Sequence, residues 1–220
     1  MSSPDDRSHW QRIYAERDPR QVSWYEPTLE SSLALIGEAQ LDRDAAILDV
    51  GGGASTLASD LLAGGYKDIT VADISGTSLD HARAQLGKAA DRITWVEADI
   101  RMHDFGRRFD LWHDRALFHF MVQPTDRDAY LNTLQRTLRP GGRLLVSTFG
   151  LEGPTRCSGL PVARYGATEL SQALGDDFAL VTSALEDHRT PSGKEQQFLY
   201  AYLRRVGCRD ERLPRLQSTG

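Results

Sequence analysis

The sequence predicts an α/β protein with a doubly wound sheet of seven strands, in which the last strand runs antiparallel to its neighbour. Three observations predict this fold class. Short apolar runs alternate with segments of helical periodicity from residue 45 onward, three glycines at 51–53 follow the first run directly, and only a turn-rich linker at 187–194 separates the last two runs. Alternating strands and helices are typical of a parallel sheet covered on both faces. Two strands without a helix between them pair antiparallel, so we expect the sheet to end in a hairpin.

The predicted elements follow one another in a regular order. A short surface helix is expected within residues 1–20, and a second helix follows an aromatic loop at 21–27. The strand-like runs occupy residues 45–50, 68–73, 92–99, 109–114, 143–149, 176–186 and 195–205. Apolar residues three or four positions apart predict helices at residues 55–63, 76–86, 124–138 and 168–174. Ser75 and Pro124 are typical residues for the start of a helix.

These elements predict a single domain over residues 1–205. We expect residues 1–44 to form N-terminal helices and a lid, and residues 45–150 to form the ligand-binding core. Residues 151–205 then add a cap insertion and the terminal hairpin. Residues 206–220 are polar and lack periodicity, so a disordered tail is expected there.

Composition narrows the classes of function. The 220 residues contain 26 basic and 31 acidic side chains, a formal net charge of −5. An acidic balance argues against nucleic acid or an anionic membrane as a partner. No apolar run approaches the roughly 20 residues of a membrane helix, and the first residues lack the apolar core of a secretory signal. With only two cysteines, Cys157 and Cys208, we expect a cytoplasmic protein without a disulfide framework.

The loop after the first strand predicts a nucleoside cofactor. Gly51 and Gly53 lack a Cβ atom, so the backbone can turn sharply and a ligand can approach closely. Asp73 ends the second strand 20 residues after Gly53, the spacing at which an acidic side chain meets ribose hydroxyls. A dinucleotide fingerprint would need glycine at position 56, where Thr56 stands. An NAD-dependent reductase is therefore disfavoured, as it is by the terminal hairpin.

Five segments in order along residues 45–149 resemble the motifs of class I S-adenosylmethionine (SAM)-dependent methyltransferases. The segment AILDVGGGAS is similar to their first motif, an acid followed by alternating glycines, with Ser55 at the third glycine. The segments similar to the later motifs are VADIS at 71–75, EADI at 97–100, FDLWHDRALFHF at 109–120 and LRPGGRLLVSTF at 138–149. The resemblance implies the Rossmann-like methyltransferase fold, in which the last strand is reversed.

The resemblance also implies SAM as the cofactor, S-adenosylhomocysteine as its product, and no metal. The histidines lack metal-ligand spacing. The residues expected to contact the cofactor lie at strand ends or in the aromatic loop. They are Trp24, Tyr25, Asp49, Gly51, Gly53, Asp73, Ile74, Asp99, Ile100 and Asp114. Trp24 and Tyr25 of the aromatic loop would either form a lid over the donor methyl group or merely seal the edge of the sheet.

No catalytic residue follows from the sequence, although three residues are candidates. Asp114 and Arg115 could orient a substrate or form a structural ion pair, and His119 could face the pocket or belong to the core. Cys157 and Tyr165 lie in the insertion at 151–166 and could contact the substrate.

The acceptor is predicted to be a small molecule with a nucleophilic S, N or O atom, because the chain lacks a separate recognition domain. The segment DRAL at 114–117 is similar to one in thiopurine and other small-molecule thiol methyltransferases. Together with SWYEP and GGYKDITVADIS it also resembles methyltransferases that act on a lysine of an elongation factor, so protein lysine is the alternative. An inactive SAM-binding module is a further alternative. The chain is expected to be a monomer or a homodimer.

Overall fold

The computed structural model describes residues 4–207 and contains the predicted seven-stranded sheet. In chain order the strands are β1 (Ala46–Val50), β2 (Asp68–Asp73), β3 (Ile93–Glu97), β4 (Phe109–Arg115), β5 (Leu138–Phe149), β6 (Arg156–Cys157), β7 (Leu160–Pro161), β8 (Phe178–Arg189) and β9 (Glu195–Arg205). The spatial order of the main sheet is β3-β2-β1-β4-β5-β9-β8, and β6 and β7 form a separate two-stranded ribbon. The terminal hairpin is confirmed, because β9 pairs antiparallel with both β5 and β8.

Six α-helices accompany the strands in the described part of the chain. They are α1 (Pro4–Glu16), α2 (Glu30–Glu38), α3 (Leu57–Ala63), α4 (Gly76–Leu86), α5 (Pro124–Thr137) and α6 (Ala167–Leu174). Ser75 caps α4 as predicted, since its hydroxyl accepts a hydrogen bond from the amide of Ser78 at 3.2 Å. Helix α3 begins two residues later than predicted, because Ser55 still belongs to the glycine loop. The Ser55 hydroxyl accepts a hydrogen bond from the amide of Leu57 at 3.1 Å.

The start of β5 also differs from the prediction. The RPGG segment was expected to be a turn before the strand, but it lies inside β5, where Leu138 already pairs with Phe109 of β4. The register then shifts before Leu111 pairs with Arg143, which accommodates Gly141 at a φ of +75°. A bulge of this kind bends the strand without ending its pairing.

The two faces of the sheet are buried by different helices. Helices α2, α3 and α4 cover the face that carries Ile47 and Leu111, whereas α5 and α6 cover the face that carries Leu48 and Trp112. Successive side chains of a strand point to opposite faces. Asp114 therefore lies on the face covered by α5, opposite to its chain neighbour His113.

The strand order reverses between β1 and β4, and this reversal locates the ligand crevice. The chain proceeds from β1 outward to β3 on one side and from β4 outward on the other. In such sheets ligands bind beyond the carboxyl ends of the strands at this switch point.

Helix α1 lies over that edge of the sheet. It is joined to α4 by a hydrogen bond between Nε2 of His81 and the carbonyl of Tyr14 at 2.9 Å. Helix α1 was predicted as a surface helix, yet its residues Ile13 and Tyr14 are buried.

The division of residues 1–205 into lid, core and cap stays a prediction. Most of the predicted tail, residues 208–220, lies outside the described residues. Among the described helices, none is long and apolar enough to cross a membrane.

Candidate functional site

A cavity of about 260 Å³ opens beyond the carboxyl ends of β1, β2 and β4. Its volume is near the lower end of the roughly 300–1,000 Å³ usual for small-molecule sites. Six of the predicted cofactor residues line it, namely Trp24, Gly51, Asp73, Ile74, Asp99 and Ile100. Of the other candidates, Arg115 and Cys157 also line it. The cavity therefore lies at the switch point that the strand order indicates.

The glycine loop must be free of side chains to form this wall. Gly51 has a φ of +65°, and a Cβ atom added there would lie 2.6 Å from Cδ1 of Leu117. Gly53, also predicted as a cofactor residue, lines neither this cavity nor the smaller one described below. It has a φ of +41°, and its added Cβ would lie 2.9 Å from Oδ2 of Asp73 and 3.0 Å from the hydroxyl of Tyr14. Left-handed backbone and close approach together explain why glycine occupies both positions.

Asp73 presents a carboxylate at the end of β2. Its Oδ1 accepts a hydrogen bond from the amide of Ser75 at 2.8 Å. Burial raises the pKa of Asp73 to about 6, although the Ser75 amide opposes the rise. Burial, followed by the nearby Asp73 charge, also raises the pKa of Tyr14. A buried carboxylate beside a glycine loop is a suitable acceptor for the hydroxyls of a nucleoside.

A partly buried ion-pair network closes the end of the cavity beyond β3. Arg101 donates to Asp99, to Asp6 of α1 at 2.7 Å and to Asp126 of α5 at 2.9 Å. The hydrogen bond to Asp99 is the largest cause of the raised pKa of Arg101. The network joins three elements around the residues predicted to flank adenine. No local sequence pattern indicates Arg101, because two of its three partners are 25 and 95 positions away.

Aromatic rings form another part of the cavity wall, in which Tyr14 lies near Asp73. Trp10 of α1 has its ring centroid 5.9 Å from that of Trp24 and 5.1 Å from that of Phe120. Tyr14 lies 6.3 Å from Trp24. We call Trp10, Tyr14, Trp24 and Phe120 the aromatic wall. Only Trp24 was predicted as a site residue, because the sequence pattern assigns the other three residues to a surface helix or to the core.

Arg115 fixes the loop that carries Trp24. Its Nε donates to the hydroxyl of Tyr200 at 2.9 Å, its Nη1 donates to the carbonyl of Trp24 at 2.7 Å, and its Nη2 donates to Glu26. Glu26 also contacts Nδ1 of His188 at 3.0 Å. Burial opposes ionisation of Glu26, but His188 and Arg115 outweigh it and lower the pKa of that carboxyl. We call Glu26, Arg115, His188 and Tyr200 the loop clamp.

Two predicted residues line a second, smaller cavity. Tyr25 and Asp49 line a space of about 40 Å³, to which Gly51 and Arg115 also contribute. Since Gly51 and Arg115 line both cavities, the two are adjacent.

The structure places Asp114 outside both cavities. Its Oδ2 accepts a hydrogen bond from the hydroxyl of Tyr130 at 2.7 Å, and its Oδ1 accepts from the amides of Leu117 and Phe118 at 3.1 Å. Burial raises its pKa to about 6. Because strand alternation turns this side chain toward α5, Asp114 fixes the turn after β4 and is not placed to orient a substrate.

His119 and Tyr165 also lie away from the cavity lining. His119 is fully buried, and its Nδ1 faces the amide of Phe149 at 3.3 Å. Burial, followed by the charge of Arg115, lowers the pKa of His119 to about 3. Tyr165 packs against Phe118 with ring centroids 5.7 Å apart. Within residues 4–207, no group of three or more His, Cys, Asp or Glu side chains could hold a metal ion.

A comparison with protein families identifies the central part of the chain. Residues 47–142 match the family described as "Methyltransferase domain". The matched residues, just under half of the chain, are similar to a methyltransferase domain, as the motifs predicted. The matched range contains the glycine loop, Asp73 and Ile100 but neither the aromatic loop nor the insertion.

The curated relatives match only part of the chain, and the match covers only part of each relative. The chain is 38% identical over 109 residues to a ubiquinone/menaquinone biosynthesis C-methyltransferase UbiE of Paracoccus denitrificans. The match covers 47% of this chain and 42% of that relative, so the chain spans less than half the length of the curated protein.

Solved structures share the fold over nearly the whole chain. The 1,6-didemethyltoxoflavin-N1-methyltransferase of Burkholderia thailandensis has a TM-score of 0.67 at 20% identity, covering 94% of this chain and 92% of the other. The N-methyltransferase NodS of Bradyrhizobium japonicum has a TM-score of 0.67 at 18% identity, covering 91% and 99%. At these identities the similarity shows the fold alone.

Proposed function

We propose that the chain is a methyltransferase that transfers the methyl group of SAM to a nucleophilic S, N or O atom of a small apolar acceptor. The observation that carries this proposal is the continuity of the larger cavity. It joins strand-end residues suited to a nucleoside, Asp73 and Ile100, to the aromatic wall. One end of the cavity would hold the cofactor and the other the acceptor.

The residues of the methyltransferase domain fit the cofactor. The carboxylate of Asp73 would accept hydrogen bonds from ribose hydroxyls, and Ile100 would provide an apolar contact for adenine. Gly51 would allow the backbone to approach the methionine part. When bound, SAM supplies an electrophilic methyl group on a sulfonium.

The contribution of the chain is then alignment and the exclusion of water. The aromatic wall and the apolar residues Leu117, Leu160 and Pro161 surround the acceptor end. The loop clamp holds Trp24 in this wall through the carbonyl that Arg115 contacts. Holding a reactant in place can supply a large part of the rate enhancement of a displacement.

The chemistry of the acceptor end favours a nucleophile that ionises by itself. Burial raises the pKa of Cys157 to about 11, so its thiol is a poor proton acceptor at neutral pH. The guanidinium of Arg115 is already occupied by Glu26 and Tyr200. A thiol or an acidic hydroxyl needs little base, whereas a lysine ammonium must first lose a proton. A small acceptor is therefore favoured over protein lysine.

A thermal-shift experiment tests the proposed cofactor. S-Adenosylhomocysteine at 100 times its Kd should stabilise the protein by about 2.7 kcal/mol. For a chain of this size the expected rise in Tm is roughly 5–10 °C. NAD and ATP serve as controls and should produce no comparable rise. A rise with NAD alone would overturn the proposal.

Labelled methyl transfer from SAM tests the acceptor. The pools to compare are small aromatic thiols and phenols, nitrogen heterocycles, free amines, and a lysine-bearing protein extract. We expect label in one of the small-molecule pools. Label confined to the protein extract would replace the small acceptor by protein lysine. SAM binding without transfer to any pool would favour a binding module.

A further inference from the structure

A chain of three buried side chains lies behind the glycine loop. Asp49 of β1 and His113 of β4 are paired in register on adjacent parallel strands, so their side chains share a face of the sheet. Nδ1 of His113 lies 2.7 Å from Oδ1 of Asp49, and its Nε2 lies 2.9 Å from Oγ of Ser32 on α2. All three residues are at most 3% exposed. The sequence analysis assigned no role to Ser32 or His113.

The chemistry of the three groups fixes the direction of the hydrogen bonds. An ionised carboxylate only accepts, so Nδ1 of His113 donates to Asp49. Nε2 is then left as the acceptor for the hydroxyl proton of Ser32. In this arrangement Ser32 sets the orientation of the imidazole ring, and the ring sets the orientation of the carboxylate.

The other oxygen of Asp49 has a different environment. Its Oδ2 is buried and has no hydrogen-bond partner among the residues the structure describes. Asp49 lines the small cavity, together with Gly51, Gly52 and Ser55 of the glycine loop. A Cβ atom added at Gly52 would lie only 2.4 Å from this oxygen, so glycine is required beside it.

A buried carboxylate oxygen without a partner is costly, and a cationic hydrogen-bond donor is the group that would stabilise it. Arg115 lines the same cavity, but its guanidinium is held by Glu26, Tyr200 and the carbonyl of Trp24. Apart from Arg115 and His113, none of the described basic side chains lines this cavity, so a bound ligand is the remaining source of a cation. Gly51 lines both cavities, so a ligand that fills the larger one could extend a group toward Asp49.

We propose that Ser32 and His113 are positioning residues for the amino-acid end of the donor. They hold the carboxylate of Asp49 so that its Oδ2 accepts a hydrogen bond from the cationic amino group of a nucleoside that carries an amino acid. The inference rests on the proposed function, since the donor supplies that group. His113 and Ser32 act through Asp49 and need not touch the donor.

Two ligands separate this role from a general contribution to folding. S-Adenosylhomocysteine carries the amino-acid end, whereas 5′-methylthioadenosine has the same adenosine thioether without it. Calorimetric titration of both ligands against His113→Leu should show at least a tenfold loss of affinity for S-adenosylhomocysteine. The affinity for 5′-methylthioadenosine should stay within twofold of the wild type.

Further variants complete the test. His113→Asn places an amide donor near the position of Nδ1, which faces Asp49, and should restore part of the lost affinity. Ser32→Ala should weaken only S-adenosylhomocysteine binding and by a smaller factor, and it carries the test if His113→Leu does not fold. His103→Leu is the matched control, because His103 packs against Phe105 and lines neither cavity. It should leave both affinities unchanged.

Two results would overturn the inference while leaving the proposed function intact. One is an equal loss of affinity for both ligands in the His113 and Ser32 variants, and the other is an unchanged affinity for S-adenosylhomocysteine in both variants. A wild-type protein that binds neither ligand would instead overturn the proposed function itself.

Discussion

The two ends of the larger cavity are built in different ways. The donor end is formed by residues at the ends of consecutive strands, Gly51 after β1, Asp73 at the end of β2 and Ile100 after β3. The acceptor end gathers residues from separate parts of the chain, from Trp10 in α1 to Cys157 in the insertion. The family match at 47–142 contains the first set and excludes both of these outer segments.

The difference shows which part of a site can be transferred from a family to one of its members. Carboxyl ends of parallel strands meet at one edge of the sheet, so the donor end is determined by the sheet itself. Loops outside the core tolerate changes of sequence and length, and they carry much of the specificity of an enzyme. The acceptor therefore has to be found by experiments on the acceptor end, where Leu117 and Phe120 lie inside the matched range and the other residues outside it.

The largest expected effect is at the donor end. Asp73→Ala removes the carboxylate proposed to accept two ribose hydroxyls, and hydrogen bonds to charged groups contribute about 1.5–3 kcal/mol each. We expect S-adenosylhomocysteine affinity to fall by a factor on the order of 100, measured by calorimetric titration. Asp91→Ala at an exposed position is the control. An unchanged affinity would show that Asp73 does not hold the ribose.

The same carboxylate predicts a pH dependence in the wild type. The pKa of Asp73 is about 6, and the ionised form is the better hydrogen-bond acceptor for both hydroxyls. Affinity for S-adenosylhomocysteine should therefore decline as the pH falls through about 6. Asp73→Asn should lack this decline, so titrations of the two proteins at pH 5 to 8 identify the group responsible.

A smaller effect is expected at the acceptor end. Trp24→Ala opens the aromatic wall without touching Asp73, so the transfer rate should fall on the order of 10–100-fold. The affinity for S-adenosylhomocysteine should change by less than threefold. Steady-state kinetics with the accepted substrate measures the first quantity and titration the second. Trp24→Phe keeps a ring in the wall and should retain most of the rate, whereas an undiminished rate in Trp24→Ala would reject the lid.

The last prediction concerns stability rather than binding or rate. Glu26→Gln removes the charge that faces Arg115 and His188 in the loop clamp, so we expect a loss on the order of 1–3 kcal/mol in the free energy of unfolding at neutral pH. The pKa of Glu26 is lowered from its ordinary value of 4.5, so its contribution is present above that pH and is lost as the pH falls through the lower folded-state value. The Tm values of the two proteins should therefore converge below about pH 4.5. A difference that persists in acid would assign the effect to packing instead of charge.

The sequence by itself determined the fold class, the terminal hairpin and the identity of the glycine loop. These features depend on local patterns, such as alternating apolar runs, glycines at 51–53 and an acid 20 residues after Gly53. Asp114 shows the limit of such patterns. Its position near the end of β4 in a family motif made it a candidate, but strand alternation turns its side chain toward Tyr130 and away from the cavity.

Only the tertiary structure decided which distant residues meet. Arg101 finds partners in α1 and α5, and Arg115 reaches the aromatic loop and β9. In the chain of buried side chains formed by Ser32, His113 and Asp49, the first two residues are 81 positions apart in the sequence. A local sequence pattern cannot predict these contacts, because each depends on how the strands are paired and on which helices pack against them.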